Sequence, residues 1–580
     1  MLRCAFETTM SASARGTEAT FSRALAPGES CELLLKVPFV AAEGADELAA
    51  LERLDFDKAQ GEMVRFWRRA GGQGCQLQTP EPHLNDLYLG HLTHVRFSDF
   101  AMPDGSGLIN TSVGSSTYGN FSNESCMIVQ ELDQRGLHQE ARRRLELWVR
   151  YQGTAKQPGN FTDYDGMFFG AGGFECGAYN QHHGWVLWRL CEHYFLTRDR
   201  AWMEKVAPAV LAGADWVFRQ RRNTTQPLPH SRGWERGFLP AGSLEDVTDF
   251  FYWLSTNALT WRGTDTAARA LEAYGHPEAA RVRREADAYA RDLRRGFETM
   301  RQHSPLVRLR NGRWVPHYPS RIYCRGRDLG WIREVLEGSV YLLISGLYKP
   351  TGPQARWILD DFHDNRYLCP PFGYALADAG SEWYARGGFS IQPNLLAGLM
   401  PHLERDEPEI FIWMLFNAWA ACYREETNAM TEHPMPVLGY SNNAQLKTSD
   451  QANAIMWLRY MFVFAAGDTL HVGRAIPRAW FRPAGVAGAG EPIAAEGVHT
   501  VFGTVGVAYE AAGADRLLAT VSLKLRREPG MILVRFRHPD AKPITSVKVN
   551  GKPHRRFDPK TGDVEISGMR GTVKLEARYA

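Results

Sequence analysis

The chain has no C-x-x-C pair, and its nine cysteines (Cys4, Cys31, Cys75, Cys126, Cys176, Cys191, Cys324, Cys369, Cys422) are scattered and odd in number. Neither a disulfide framework nor a cysteine zinc site is expected from such spacing. No apolar run is long enough to cross a membrane. A formal net charge of +2 leaves no basic surplus to attract nucleic acid or an anionic membrane surface. The arginines of "ARRRLE" (Arg142, Arg143, Arg144) fall on a helical stretch and read as a solvated face rather than a phosphate track. The opening residues lack a charged segment followed by an apolar one, so no export signal is visible there. They read as if the chain enters mid-domain, and the compartment stays open between secreted, periplasmic and cytoplasmic. The glycine-rich "GAGGFECG" lacks the strand–turn–helix setting of a nucleotide loop, and His182 and His183 do not form H-E-x-x-H. No cofactor and no metal are expected.

What is present is a soluble-type composition, 44% hydrophobic and 23% charged, on a chain of 580 residues, enough for two or three domains. Residues 1–44 contain a Pro27-Gly28 turn followed by the β-compatible stretch 31–40, the mark of a partial β-sandwich segment. Residues 45–79 switch to helical spacing and read as a linker. From 80 to 465 a rhythm sets in that occurs six times: a helix, a long loop rich in glycine and aromatics, a second helix, a very short turn. The first helices are expected near 83–100, 137–152, 199–222, 277–301, 351–364 and 406–421, and the second near 122–135, 178–196, 246–274, 331–347, 389–403 and 449–465. Leu137, Ala141, Leu145 and Trp148 recur on one face with charge on the other, whereas "GWVLWRL" and "SVYLLISGL" are apolar almost all round. That contrast predicts an outer ring of first helices around an inner ring of second helices. Residues 466–580 are short β-branched runs broken by turns, including Asn550-Gly551, and predict an antiparallel β-sandwich.

With the short turns at one end, the six long loops must gather at the other, where binding and chemistry are carried. These loops hold carboxylates and aromatics together, including Tyr118, Asp163, Asp165, Glu175, Trp234, Asp328, Glu382 and Trp383. That mixture suits a sugar: rings cover the apolar pyranose face, and carboxylates bind hydroxyls and move protons. Two positions stand out. Glu245-Asp246 closes the third loop, where the alternative is a capping box with Ser243 as N-cap. Glu432, before His433 and Pro434 in the sixth loop, has a loop ion pair with Lys447 as its alternative. Tyr179 and His183, four apart on one helix face, could bind hydroxyls or act as a proton-transfer pair in β-elimination.

Several stretches resemble the six-hairpin glycosidase superfamily, the (α/α)6 barrels that include glucoamylases and α-L-rhamnosidases. They are "ESCMIVQELDQRG", "YNQHHGWVLWRLCEHYFLTRDRAWMEKVAPAVLAGADWVFRQR", "GFLPAGSLEDVTDFFYWLSTNAL", "GGFSIQPNLLAGLMPHLERDE" and "TEHPMP…LKTSDQANAIMWLRYMF". The resemblance implies a mainly α fold, an (α/α)6 barrel over 80–465 with a C-terminal β-sandwich. It also implies a glycoside hydrolase whose acid lies between the fifth and sixth helices and whose base lies between the eleventh and twelfth. On this chain those positions are Asp246 or Glu245 for the acid and Glu432 for the base. Tyr179, His183, Trp234, Arg327, Glu337, Trp383, Arg386, Gln392 and His433 are the expected substrate contacts, and a carbohydrate is the expected partner. The double-Glu acid motif of glucoamylases is missing, so the sugar is left open. A polysaccharide lyase using Tyr179 and His183 and a sugar-binding protein without catalysis remain as alternatives.

Overall fold

The computed structural model describes residues 4–580 except 39–40, 43, 116–117, 170–181, 227–230, 245–246, 328–337, 366–367, 370–372, 375–398, 432–433, 436–439, 442–445 and 483–491. The chain divides into two compact units, Met1–Gly72 and Gln73–Ala580. In the first, Ala5–Thr8 pairs antiparallel with Leu33–Lys36 and Ser11–Arg15 with Glu18–Ser22. Helices Ala45–Arg53 and Phe56–Gly71 follow, the second opened by Asp55, which accepts from the Lys58 N–H at 2.7 Å. The predicted linker thus ends as helix at Gly71.

In the second unit the six hairpins are present. Their outer helices are Pro82–Ser98, His138–Arg150, Arg200–Arg222, Ala279–His303, Pro353–Asn365 and Pro408–Cys422. The inner helices are Ser122–Arg135, His182–Thr197, Leu254–Tyr274, Tyr341–Ile344, Leu399–Glu404 and Thr448–Phe462. Inner helices pack on one another in chain order from the first to the fifth, and the sixth packs back on the first. Outer helices sit in the grooves: His138–Arg150 touches the first and second inner helices, and Arg200–Arg222 the second and third. This is why outer helices such as His138–Arg150 and Ala279–His303 carry one apolar stripe, while the first three inner helices and the sixth are buried nearly all round.

The second and third inner helices come together backbone to backbone. A Cβ on Gly184 would lie 2.6 Å from Leu259 main-chain atoms, and one on Gly263 would lie 2.7 Å from the Gly184 carbonyl oxygen. Glycine at both positions is therefore a condition of the packing. Ring closure is fixed electrostatically. Glu131 of the first inner helix accepts from Arg135 Nε at 2.8 Å and from Arg459 Nη1 of the sixth at 2.9 Å, all three buried. Large aromatic cores are satisfied as well: the buried indoles of Trp202, Trp216 and Trp253 donate to the Leu190, Asp163 and Gly242 carbonyls at 3.2, 2.9 and 2.9 Å.

Three expectations need correction. The third inner helix starts at Leu254, not 246, because Gly242–Leu244 and Val247–Phe251 form an antiparallel hairpin in front of it. Ser243 lies in that strand, with its N–H and Oγ both 3.3 Å from the Pro158 carbonyl oxygen, and the helix N-cap is Trp253 instead. The arginines of "ARRRLE" are committed: Arg144 is buried against Asp99, Arg142 donates to Asp199 at 2.6 Å, and Arg143 donates to the Gly107 carbonyl. Burial pushes the Asp99 carboxyl up to about 6 even with Arg144 beside it.

The C-terminal sandwich has a seven-stranded sheet in the order Lys552–His554, Ile544–Val549, Gly571–Tyr579, Arg516–Leu525, Gly503–Ala511, Ile493–Thr500, Gln76–Gln78. A four-stranded sheet runs Val463–Ala466, Thr469–Val472, Met531–Arg535, Asp563–Glu565. One pair, Thr469–Val472 with Met531–Arg535, is parallel, so the sandwich is not purely antiparallel. Asn550 and Gly551 have φ of 49° and 78°, the left-handed pair that the Asn-Gly turn predicts.

Candidate active site on the loop rim

Among the described residues, the loops ahead of the first, third and sixth inner helices lie at those helices' N-termini, the loop end of the barrel. Neighbouring loops are stapled together there. The second and third are joined by Asn160 N–H to the Ala241 oxygen at 2.8 Å and by a bridge between Gly159 and Gly242. Third and fourth are joined by Ile322 N–H to the Tyr252 oxygen at 3.1 Å and Leu254 N–H to the Ser320 oxygen at 2.8 Å. Sixth and first are joined by Ser115 N–H to the Leu446 oxygen at 3.1 Å and Thr448 N–H to the Val113 oxygen at 3.0 Å. These are main-chain bonds, so they hold whatever side chains the loops present.

In the third loop, Trp234 is half-buried and stacks on Tyr323 of the fourth, with centroids 5.3 Å apart and planes 16° from parallel. His303 packs on the same ring at 4.6 Å, and the Arg232 guanidinium lies 5.3 Å from it. Beside it Glu235, only 3% exposed, accepts from Ser231 Oγ at 2.6 Å through one oxygen and from the Tyr323 hydroxyl through the other. Tyr323 is held at φ 71°, a costly conformation for an aromatic residue. Burial, together with the Glu235 charge, pushes the nearby Tyr252 phenol up to about 12. Glu235 and Tyr323 were not singled out from sequence; a carboxylate directly after a loop tryptophan in "GWERGF" was the available signal.

At the junction of the sixth and first loops, Lys447 is buried with its Nζ 3.0 Å from Glu124 Oε2 and 3.9 Å from the Tyr118 ring centre. The Ser449 hydroxyl also donates to Glu124. Lys447 thus has an ion-pair partner in Glu124, on the first turn of the first inner helix. The sixth loop is anchored on both sides of the segment 432–446. Thr431 N–H donates to the Cys422 oxygen and Lys447 N–H to the Met430 oxygen, each at 2.9 Å.

His183 does not reach a ligand. It is fully buried, its Nδ1 accepts from the Phe168 N–H at 3.0 Å, and its Nε2 donates to the Gly213 oxygen at 3.1 Å. Burial pushes its imidazole down to about 3, so it stays neutral. Its work is to hold the second loop to the third outer helix. Arg327 is likewise engaged, donating to Asp364 at 2.9 Å and to Asp361. Glu245, Asp246, Glu432, Tyr179, Glu337, Trp383, Arg386, Gln392 and His433 lie outside the described residues. Among the described residues the rim holds no group of three His, Cys, Asp or Glu donors close enough to share an ion.

No family model matches the sequence, and no curated protein matches it. Solved structures do. An α-L-rhamnosidase of Streptomyces avermitilis, complexed with L-rhamnose, is 13% identical with a TM-score of 0.48, over 87% of this chain and 42% of that one. An α-L-rhamnosidase of Dictyoglumus thermophilum is 9% identical with a TM-score of 0.48, over 87% of this chain and 50% of that one. The chain therefore spans half or less of the length of these two proteins. It is also similar to a bacterial glucoamylase complexed with acarbose, at 12% identity and a TM-score of 0.47, over 74% of this chain and 62% of that one.

Proposed function

We propose that the chain is a glycoside hydrolase whose reaction is carried out by carboxylates of the third and sixth loops. The observation that carries this reading is the anchoring of both loops at one rim: the third by main-chain bonds to its two neighbours, the sixth by bonds to the first loop and to itself. Asp246, with Glu245 as second choice, is the acid that protonates the leaving-group oxygen. Glu432 is the base that takes a proton from water as the water attacks the anomeric carbon from the opposite face. A carboxyl separation of about 6.5–9.5 Å leaves room for that water and gives inversion.

Among the sugar contacts, Tyr179, Glu337, Trp383, Arg386, Gln392 and His433 remain assigned to the substrate. Trp234 braces the third loop against the fourth through its stack on Tyr323. Arg386 and Arg327 are the guanidiniums assigned to meet an acidic sugar, with Arg327 oriented by two aspartates. The lyase reading loses support, because the His183 ring is enclosed with both nitrogens bonded and cannot exchange protons with a polymer.

The test is a panel of neutral and uronate glycosides read in two ways. New reducing ends without ultraviolet absorbance support hydrolysis. An unsaturated, ultraviolet-absorbing product overturns it in favour of elimination, and binding without turnover overturns it in favour of a sugar-binding protein.

A further inference from the structure

At the short-turn end of the barrel, away from the loop rim, three donors from three different helices converge. Asp133 ends the first inner helix, His138 opens the second outer helix and His193 lies in the second inner helix. One ligand atom from each lies within 4.8 Å of the others. His193 Nδ1 is 2.8 Å from Asp133 Oδ1 and His138 Nδ1 is 2.9 Å from the same oxygen. Beyond them, His138 Nε2 is 3.1 Å from Nδ1 of His499, on the sandwich strand Ile493–Thr500.

From this geometry we propose that Asp133, His138 and His193 form a structural zinc site that clamps three helices together, with His499 as the outer partner of His138. Geometry separates this from a simple hydrogen-bond cluster: three donors converge within 4.8 Å, and one ring nitrogen is left over. Without an ion, both Nδ1 atoms face Asp133, and the buried Nε2 of His193 has no hydrogen-bond partner among the described residues. With zinc on the carboxylate oxygen and the two Nδ1 atoms, each ring moves its proton to Nε2. The His138 Nε2–H then donates to His499 Nδ1, the second-sphere bond that metal-bound histidines usually make, while His499 carries its own proton on Nε2. The His193 Nε2–H meets the indole of Trp202, whose centroid is 4.7 Å from the imidazole with planes 64° apart.

One carboxylate and two imidazoles are a zinc-type set, too poor in oxygen for calcium or magnesium. Bonds of about 2.0–2.1 Å place tetrahedral donors roughly 3.3 Å apart, so the side chains open by roughly half an ångström to admit the ion. The fourth position falls to water on the side where His138 is 22% exposed. The site is independent of the glycosidase reading, since it lies at the other end of the barrel.

The full chain is stripped with chelator and titrated with zinc chloride against a colorimetric competitor, then with cobalt(II) to read its visible band. One equivalent is expected to bind, with a tetrahedral cobalt spectrum and a raised melting temperature. His138→Gln, at a partly exposed helix start that should still fold, is expected to weaken binding at least 100-fold with unchanged circular dichroism; Asp133→Asn is expected to do the same. No uptake by the wild-type chain, or equal uptake by His138→Gln, overturns the proposal.

Discussion

Glu131→Gln is the most informative change to the barrel itself. Glu131, Arg135 and Arg459 are fully buried, and the carboxylate is within 2.8 and 2.9 Å of the two guanidiniums, with His91 Nε2 3.5 Å away. Burial lowers the His91 pKa, so that ring is neutral and the cluster carries two positive charges and one negative. Burial by itself raises the Glu131 pKa, yet Arg135 and Arg459 outweigh it and hold the carboxyl well below its usual range. Each such pair is worth roughly 4 kcal/mol at 4 Å in an effective dielectric of about 20. Removing the charge forfeits two of them, offset in part by the carboxylate's own desolvation cost and by the amide oxygen that remains. The net loss expected for breaking a buried pair is about 3–5 kcal/mol. Because the folded pKa is depressed, this stability is present above the unfolded value of 4.5 and is lost as pH falls through the folded value. Equilibrium denaturation followed by tryptophan fluorescence should show the full deficit at pH 7 and a shrinking one in strong acid. A deficit under about 1 kcal/mol at pH 7 would refute the idea that this cluster closes the ring.

Gly184→Ala places a methyl group 2.6 Å from Leu259 and should cost at least about 1–3 kcal/mol, seen as a lower unfolding temperature. Asp99 has a raised folded pKa, so its contribution is complete below 3.8 and lost as pH rises through about 6; Asp99→Asn should flatten the stability profile across that window. Tyr323→Phe leaves a buried Glu235 oxygen without its donor and should cost about 1–3 kcal/mol, measured by denaturation. His183→Ala should lower stability and leave any KM of the remaining folded protein unchanged, because the ring's hydrogen bonds go to main-chain groups.

The hairpin rhythm was legible because it is written locally: a one-sided apolar stripe marks an outer helix, and apolar residues on all sides mark an inner one. Where sequence reading failed, a distant partner decided. The stretch "SLEDVTDFFYW" has a helix-like cap and an apolar run, yet Val247–Phe251 is strand. The loops on either side fix it there, Pro158 accepting from Ser243 and Arg321 bridging Trp253. His183 reads as a reactive group on a helix face; the carbonyl of Gly213 and the N–H of Phe168 that enclose it are 30 and 15 positions away. Arg144 reads as solvated until Asp99, 45 positions earlier, is found against it. In the cluster of Asp133, His138, His193 and His499, the His138 and His499 partners are 361 positions apart, which leaves no spacing motif.

The central claim, that third-loop and sixth-loop carboxylates cleave a glycosidic bond, is tested most directly by kcat on the best panel substrate for the wild-type chain and for Glu432→Gln, with Asp246→Asn and Glu245→Gln beside it. Loss of a general base is expected to lower kcat by about 10²–10⁴-fold in Glu432→Gln, with a comparable fall in one of the two third-loop variants and unchanged folding. Full activity in Glu432→Gln would contradict the account.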